Sequence, residues 1–266
     1  MPELIKAIIL GIVEGITEFL PISSTGHLIL VNQWITFDEE FTRMFDIFIQ
    51  FGAILSVIVV FRHKLLKFRT DEGSLDKNTL DLWIKTAAGV VPALILGKLF
   101  HDRIEEAFFN PTTVAIMLLL GGIVLLFIEK LDTHPSIKDT TGLTFRIVVL
   151  IGLFQCLALF PGISRSAATI IGAMLLGTSR AVAVEFSFYL AIPTLMAASL
   201  YSLYKVGLET AAANWSILTV GFVTSFIVAY LVIVAFLKFL NQNSFKYFGY
   251  YRIVLACFIL GYLYLG

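Results

Sequence analysis

Apolar residues gather in six long runs, at about 44–61, 85–102, 112–129, 184–204, 216–238 and 248–266. Each approaches the roughly 20 residues that a helix needs to cross the hydrocarbon core of a bilayer. Four further apolar stretches, at about 4–20, 27–37, 146–160 and 166–177, are too short or too interrupted to cross. They form two pairs, each joined by a polar turn of Pro, Ser and Gly. A helix, a turn at depth and a returning helix make a re-entrant hairpin, tolerated where protein or water covers the irregular backbone. The pattern predicts an all-α integral membrane protein with six spanning helices plus two re-entrant helix-turn-helix pairs.

The two pairs resemble each other. A shift of 141 residues lays Gly11 on Gly152, Glu14 on Gln155, Ser23 on Ser164, Ser24 on Arg165 and Thr25 on Ser166. Each pair is followed by three spanning runs, so a second copy must enter the membrane upside down. This predicts an inverted-topology repeat, 1–130 and then 146–266, within a single membrane domain spanning 1–266; functional sites of such repeats gather where broken helices meet at the midplane. With the N-terminus outside, the inner loops and helix ends carry Arg62, Lys64, Lys67, Arg69, Lys77, Lys85, Lys130, Lys138, Arg146, Arg180, Lys238, Lys246 and Arg252. The outer side carries Lys6, Arg43, Lys98, Arg103 and Lys205, with Arg165 set apart at a turn. The positive-inside bias, thirteen against five, therefore puts both termini outside.

Composition agrees. Of 266 residues, 58% are hydrophobic and 14% charged, with a mean hydropathy of +0.91; soluble domains carry roughly 25% charged residues. The net charge is zero and no long basic run offers a footprint for nucleic acid. Cys156 and Cys257 lie far apart in apolar segments and read as packing residues, not as a disulfide or metal pair. The first segment could pass for a secretory signal, but it carries Glu14 and Glu18 where an uncharged core is required, so it is expected to stay in the mature chain.

Those two acids carry the first candidate chemistry. Ionisable groups inside membrane segments are rare and usually mark a substrate or ion path. Four residues apart, Glu14 and Glu18 share a helix face and repel unless a cation or proton lies between them. Oxygen ligands of this kind suit Mg²⁺ or Ca²⁺, which would also bridge to phosphate oxygens. The turn Pro21–Gly26 follows. Proline ends the first limb, and Ser23, Ser24 and Thr25 are good caps for the next, whose N-terminal amides attract anions. His27 sits in the first turn of that limb. The partner turn repeats the design with Pro161-Gly162, then Ser164, Arg165, Ser166 and Thr169. Arg165 offers a fork of donors matched to phosphate oxygens. Each residue also has a structural alternative: the hydroxyls as plain caps, His27 as a hydrogen-bonded core histidine, Arg165 as a counter-ion for Glu14 or Glu18. Gly121, Gly122 and Gly172 are expected at close helix crossings, and His63, His101 and His134 at loops or helix ends.

The runs Glu14-x-x-x-Glu18-Phe-Leu-Pro-x-Ser-Ser-Thr-Gly-His27 and Pro161-Gly-x-Ser-Arg-Ser-x-Ala-Thr169 resemble the two signatures of the bacterial undecaprenyl-diphosphatase, or bacitracin-resistance, family. The likeness extends through Phe45-Asp46…Ile49-Gln50 and Glu185-Phe186-Ser187-Phe188 and covers nearly the full length; Ala167 stands where that family usually has glycine. The resemblance implies removal of one phosphate from undecaprenyl diphosphate, regenerating the lipid carrier of cell-wall synthesis. It also implies dependence on a divalent cation (Mg²⁺ or Ca²⁺), a bacterial plasma-membrane location, a site opening to the outer, periplasmic side, and an indirect link to bacitracin through the shared lipid. A homodimer is left open. Carried onto this chain, it suggests Glu18, Ser24 and Arg165 as the catalytic core with Glu14 and His27 in support. Glu14 and Glu18 would hold the metal, and Ser23, Thr25, Ser164, Ser166 and Thr169 would line the phosphate site. The nucleophile, whether Ser24, His27 or water, stays open.

A lipid flippase or secondary transporter is the rival reading, because inverted repeats with broken helices serve translocation too. The Glu pair, Ser24 and His27 exceed what binding alone requires. The acid-phosphatase-like lipid phosphatases are excluded by the lack of any His followed four residues later by Asp.

Overall fold

The computed structural model describes residues 1–69, 74–131, 135–206 and 214–265; His134 lies outside them. The described residues contain helices and no strand. Helix α1 (Glu3–Thr17) and α2 (Ser24–Val31) are followed by α3 (Glu39–Val60), a short α4 (Arg62–Leu65), α5 (Lys77–Phe108) and α6 (Pro111–Ile128). The chain continues through α7 (Phe145–Gln155), α8 (Arg165–Leu175), α9 (Arg180–Val206), α10 (Trp215–Leu240) and α11 (Lys246–Leu265). Six of these, α3, α5, α6, α9, α10 and α11, are long and apolar enough to cross a membrane, and they coincide with the six runs read from the sequence.

Local signals explain where the helices begin. The side chains of Asp38, Asp76, Asn110 and Thr144 each accept a hydrogen bond from a first-turn amide of α3, α5, α6 and α7, and Pro111 occupies the start of α6, where no amide donor is needed. The limb expected over 27–37 is shorter: α2 stops at Val31, and Asn32 turns its side chain to Asp46, 2.6 Å away.

The molecule is apolar on the outside as well as within. On α1, Ile5, Ile8, Ile12 and Ile16 form an exposed stripe, while Ala7, Leu10 and Glu14 face inward. That reverses the usual amphipathic sense, as expected for a helix whose outer face meets lipid or an apolar partner. Glycines set the closest approaches. A Cβ on Gly11 or Gly15 would fall 2.7 or 2.8 Å from the carbonyls of Gly221 or Ser225 on α10, so α1 lies against α10 backbone to backbone. Gly152 of α7 meets the carbonyl of Gly89 on α5 in the same way, and Gly122 of α6 meets Gly249 of α11. Helices α3 and α9 cross in the centre, where Phe19, Phe186, Phe188 and Phe236 are buried together and Phe19 meets Phe188 edge-on at 5.2 Å.

One charge is not where the sequence reading put it. Arg252, counted there among inner-side charges, is fully buried in the second turn of α11. Its guanidinium donates to the carbonyls of Leu118 and Met117 in α6, of Pro21 in the first turn, and of Gly162 and Ile163 in the second, all at 3.0–3.2 Å. Gly121 leaves the space it fills, for a Cβ there would overlap the guanidinium. Without Arg252 the bias stands at twelve against five. Charge counting assumes every basic residue is solvated, whereas this one is neutralised by carbonyl dipoles from three segments.

Candidate active site

The two turns meet. Helix α1 ends at Thr17, Glu18 caps it, and the chain turns through Phe19–Ile22 into α2. Ser23 precedes α2 with φ 72° and accepts from the Gly26 amide at 3.3 Å. Ser164 precedes α8 with φ 73° and accepts from the Ala167 amide at 3.2 Å. These are the only non-glycine residues with positive φ among the described residues. Such a conformation is uncommon for a residue with a Cβ. It reverses the chain sharply, so that the next side chain, Ser24 in one turn and Arg165 in the other, turns into the space between the hairpins.

That space is a cavity of about 210 Å³ lined from both sides, by Glu18, Ser23, Ser24 and Thr25 and by Pro161, Gly162, Ser164 and Arg165, with Gln50, Gln155 and Thr194 beyond them. Ala93, Ala158, Leu159, Phe160 and Leu195 complete its apolar wall. At its centre one carboxylate holds two partners. The Ser24 hydroxyl donates to Glu18 Oε2 at 2.6 Å, and an Arg165 terminal nitrogen donates to Glu18 Oε1 at 2.9 Å. The other terminal nitrogen of Arg165 donates to the Ser187 carbonyl at 2.9 Å, and the guanidinium rests over the Phe19 ring. Both side chains are nearly buried, 5% exposed for Glu18 and 9% for Arg165. In such a dry setting an ion pair and its hydrogen bonds act far more strongly than at a wet surface.

Glu14 lies one helical turn before Glu18, fully buried, and neither carboxylate oxygen has a hydrogen-bond partner among the described residues. A bare buried carboxylate beside a second one suits a hard divalent cation, so the orphaned oxygens of Glu14, with Glu18 one turn on, fit a metal. His27 goes elsewhere. Its Nδ1 pairs with the Ser23 carbonyl and its Nε2 with the Tyr251 hydroxyl, both at 2.7 Å, and its ring stacks on Tyr251 at 5.6 Å; it does not line the cavity. Thr25, Ser23 and Ser164 do line it, but Ser166 and Thr169 do not. The Ser166 hydroxyl donates to the Leu20 carbonyl at 2.9 Å, tying one turn to the other. Thr169 donates to the Arg165 carbonyl and shares a 2.6 Å hydrogen bond with Ser187, beneath Arg165.

Residues 7–258 match the family described as "Bacitracin resistance protein BacA". The chain belongs to this family. It is similar to undecaprenyl-diphosphatase 1 of Clostridioides difficile (strain 630), with 49% identity over 99% of this chain and 97% of that one. Undecaprenyl-diphosphatase of Lachnoclostridium phytofermentans is 46% identical over 99% of this chain and 98% of its own, and that of Enterococcus faecalis 43% over 97% and 96%. Against this background, what single residues of this BacA-family chain do must come from the site itself. The sequence reading passed over Gln155, Gln50, Thr194 and Arg252 as functional residues. Signals existed for three of them: Gln155 falls opposite Glu14 in the repeat, Gln50 sits in the run shared with the family, and Arg252 interrupts an apolar segment.

Proposed function

We propose that this chain hydrolyses undecaprenyl diphosphate to undecaprenyl phosphate and orthophosphate, recycling the carrier lipid used in cell-wall synthesis. The observation that carries the reading is the contact chain Ser24–Glu18–Arg165 in a cavity shared by both turns. Ser24 is a hydroxyl already bonded to a carboxylate that can take its proton. Its Oγ attacks the terminal phosphorus as Glu18 accepts the proton. The bond from that phosphorus to the bridging oxygen breaks, and undecaprenyl phosphate leaves with the electron pair. Water then attacks the phosphoserine, the bond from Ser24 Oγ to phosphorus breaks as Glu18 returns its proton to Oγ, and orthophosphate leaves carrying the protons of the water. Arg165 and the amides at the starts of α2 and α8 offset charge gathering on the transferred phosphoryl oxygens. Glu14 with Glu18 would hold a divalent cation, Mg²⁺ or Ca²⁺, which supplies further positive charge to the diphosphate. The base is Glu18 and not His27 in this proposal, because both ring nitrogens of His27 are engaged by other partners.

The finer architecture belongs to the same proposal. The pairs α1–α2 and α7–α8 are re-entrant hairpins, and the two halves of the chain are inverted repeats. Three likenesses support this: the matched positive-φ serines, the packing of α1 on α10 answered by α7 on α5, and the glycine contact made within each of those pairs. With both termini outside, the cavity opens to the outer side of the plasma membrane. Bacitracin would meet the protein only through the lipid they share.

The test is phosphate release from undecaprenyl diphosphate by purified protein in detergent. Wild type is expected to turn over and a chelator to stop it, while Glu18→Gln, Ser24→Ala and Arg165→Ala each lower kcat about 100-fold or more. Rapid-quench labelling of the enzyme is expected to vanish in Ser24→Ala and persist in His27→Ala. An inactive wild type, or a fully active Ser24→Ala, would refute the mechanism.

A further inference from the structure

A diphosphate brings two phosphates, and the Ser24–Glu18–Arg165 cluster accounts for one. Beyond the two turns, the polar lining of the cavity is Gln50 of α3, Gln155 of α7 and Thr194 of α9, all uncharged. Gln155 closes α7, is only 2% exposed, and has an amide oxygen with no hydrogen-bond partner among the described residues. Its Nε2 donates to the Thr194 hydroxyl at 3.3 Å, and that hydroxyl in turn donates to the Leu190 carbonyl at 2.7 Å. Gln50 of α3 lines the same cavity, and Leu159 and Leu195 continue its wall. A buried amide with one end unpaired costs free energy unless something occupies it.

We infer that Gln155, Thr194 and Gln50 form a neutral subsite for the inner phosphate of a prenyl diphosphate, the one that stays on the lipid. This deepens the reading of the activity above and rests on it. The Gln155–Thr194 pair can serve an anion because a second arrangement is open to it. Turning the amide over sets Oε1 against the Thr194 hydroxyl, which then donates to it instead of to Leu190. The amide NH₂ is thereby freed of Thr194 on a side chain that lines the cavity, and the pair still holds one hydrogen bond. Neutral donors suit this phosphate. Once the terminal phosphoryl group has gone, the lipid monophosphate must leave, and a second guanidinium would hold it back. The apolar wall beside the subsite gives the first isoprene units a surface to lie on.

Product inhibition separates the two phosphate positions. Farnesyl monophosphate carries the inner phosphate and tail, orthophosphate occupies the terminal position, and farnesol reports the tail alone. Gln155→Leu and the near-isosteric Thr194→Val are each expected to raise the inhibition constant of farnesyl monophosphate about tenfold, the value of one hydrogen bond to a charged group. The constants for orthophosphate and farnesol should stay within about twofold. For variants too slow to assay, thermal stabilisation of the Ser24→Ala protein by the same three compounds, with and without Gln155→Leu, gives the same comparison by binding. An unchanged farnesyl monophosphate constant, or an equal rise for orthophosphate or farnesol, overturns the subsite. A wild type that releases no phosphate yet binds farnesyl monophosphate through Gln155 would overturn the proposed activity and leave the subsite standing.

Discussion

Replacing Arg252 with Met would remove a side chain of α11 that hydrogen-bonds to both turns at once. Five carbonyls lose a donor. Those of Met117 and Leu118 lie within α6 and keep helical partners, but Pro21, Gly162 and Ile163 lie outside any helix and accept no other hydrogen bond among the described residues. Leaving a buried acceptor unsatisfied costs about 1–3 kcal/mol. Three of them would cost up to about 9 kcal/mol before relaxation, and the guanidinium's own burial penalty, no longer borne, offsets part of this. A net loss of about 3 kcal/mol is the expected result. For a chain of this size that lowers the thermal midpoint by about 6–12 °C.

The activity should fall further than the stability. Pro21 precedes Ser23 and Ser24 by two and three residues, and Ile163 precedes Arg165 by two, so loosening those carbonyls displaces the nucleophile and the guanidinium relative to each other. A misplacement of about 1 Å can cost roughly 100-fold in rate. Thermal midpoint and phosphate release, both in detergent, with release measured well below the midpoint, separate the two effects. Arg252→Lys, which keeps the charge but gathers its three donors on one nitrogen and loses the fork that spans both turns, should fall between. An Arg252→Met protein with wild-type midpoint and wild-type kcat would refute the clamp.

Three further expectations follow from particular contacts. Gly152→Ala should lower the thermal midpoint strongly, because the new methyl meets the Gly89 carbonyl, whereas Gly261→Ala, which meets nothing within 4 Å, should be neutral or slightly stabilising. At Ser164, with φ 73°, Gly should be tolerated better than Ala; Ala loses the cap, at about 1 kcal/mol, and keeps the strained backbone, while Gly relieves that strain. Tyr251→Phe, which removes the partner of His27 Nε2, should keep activity within about threefold, since in the proposed mechanism Glu18 takes the Ser24 proton. A 100-fold loss there would move the base to His27.

The long helices were legible in the sequence because lipid-facing and core-facing positions are both apolar, so each run is continuous and its length alone identifies it. The two turns were legible for a different reason: Pro21 and Pro161 interrupt apolar runs. Side-chain destinations were not. Ser164, Ser166 and Thr169 look alike as candidates, yet Ser166 lies about 100° around the helix from Arg165 and reaches Leu20. Thr169 shares the Arg165 face but sits a turn deeper, where it bends back to the Arg165 carbonyl. Arg252 was hidden because its partners are main-chain carbonyls from three distant segments, a recognition that leaves no trace in residue type.

The differences between the two hairpins say more about function than their likeness does. Taken as repeats, they share a serine cap with nearly the same positive φ, and each first limb has a glycine at its closest crossing. At matched positions they diverge: Ser24 stands opposite Arg165, both lining the cavity, and the buried Glu14 stands opposite Gln155. One hairpin therefore carries the acids and the hydroxyl, and the other the guanidinium and the amide. A fully symmetric pair would bring either four carboxylates together, which repel each other and a diphosphate, or two arginines with nothing to attack phosphorus. In the proposed mechanism the nucleophile and its base come from one turn and the anion's counter-charge from the other, which would give two similar turns a direction, with the terminal phosphate held from Arg165 toward Ser24.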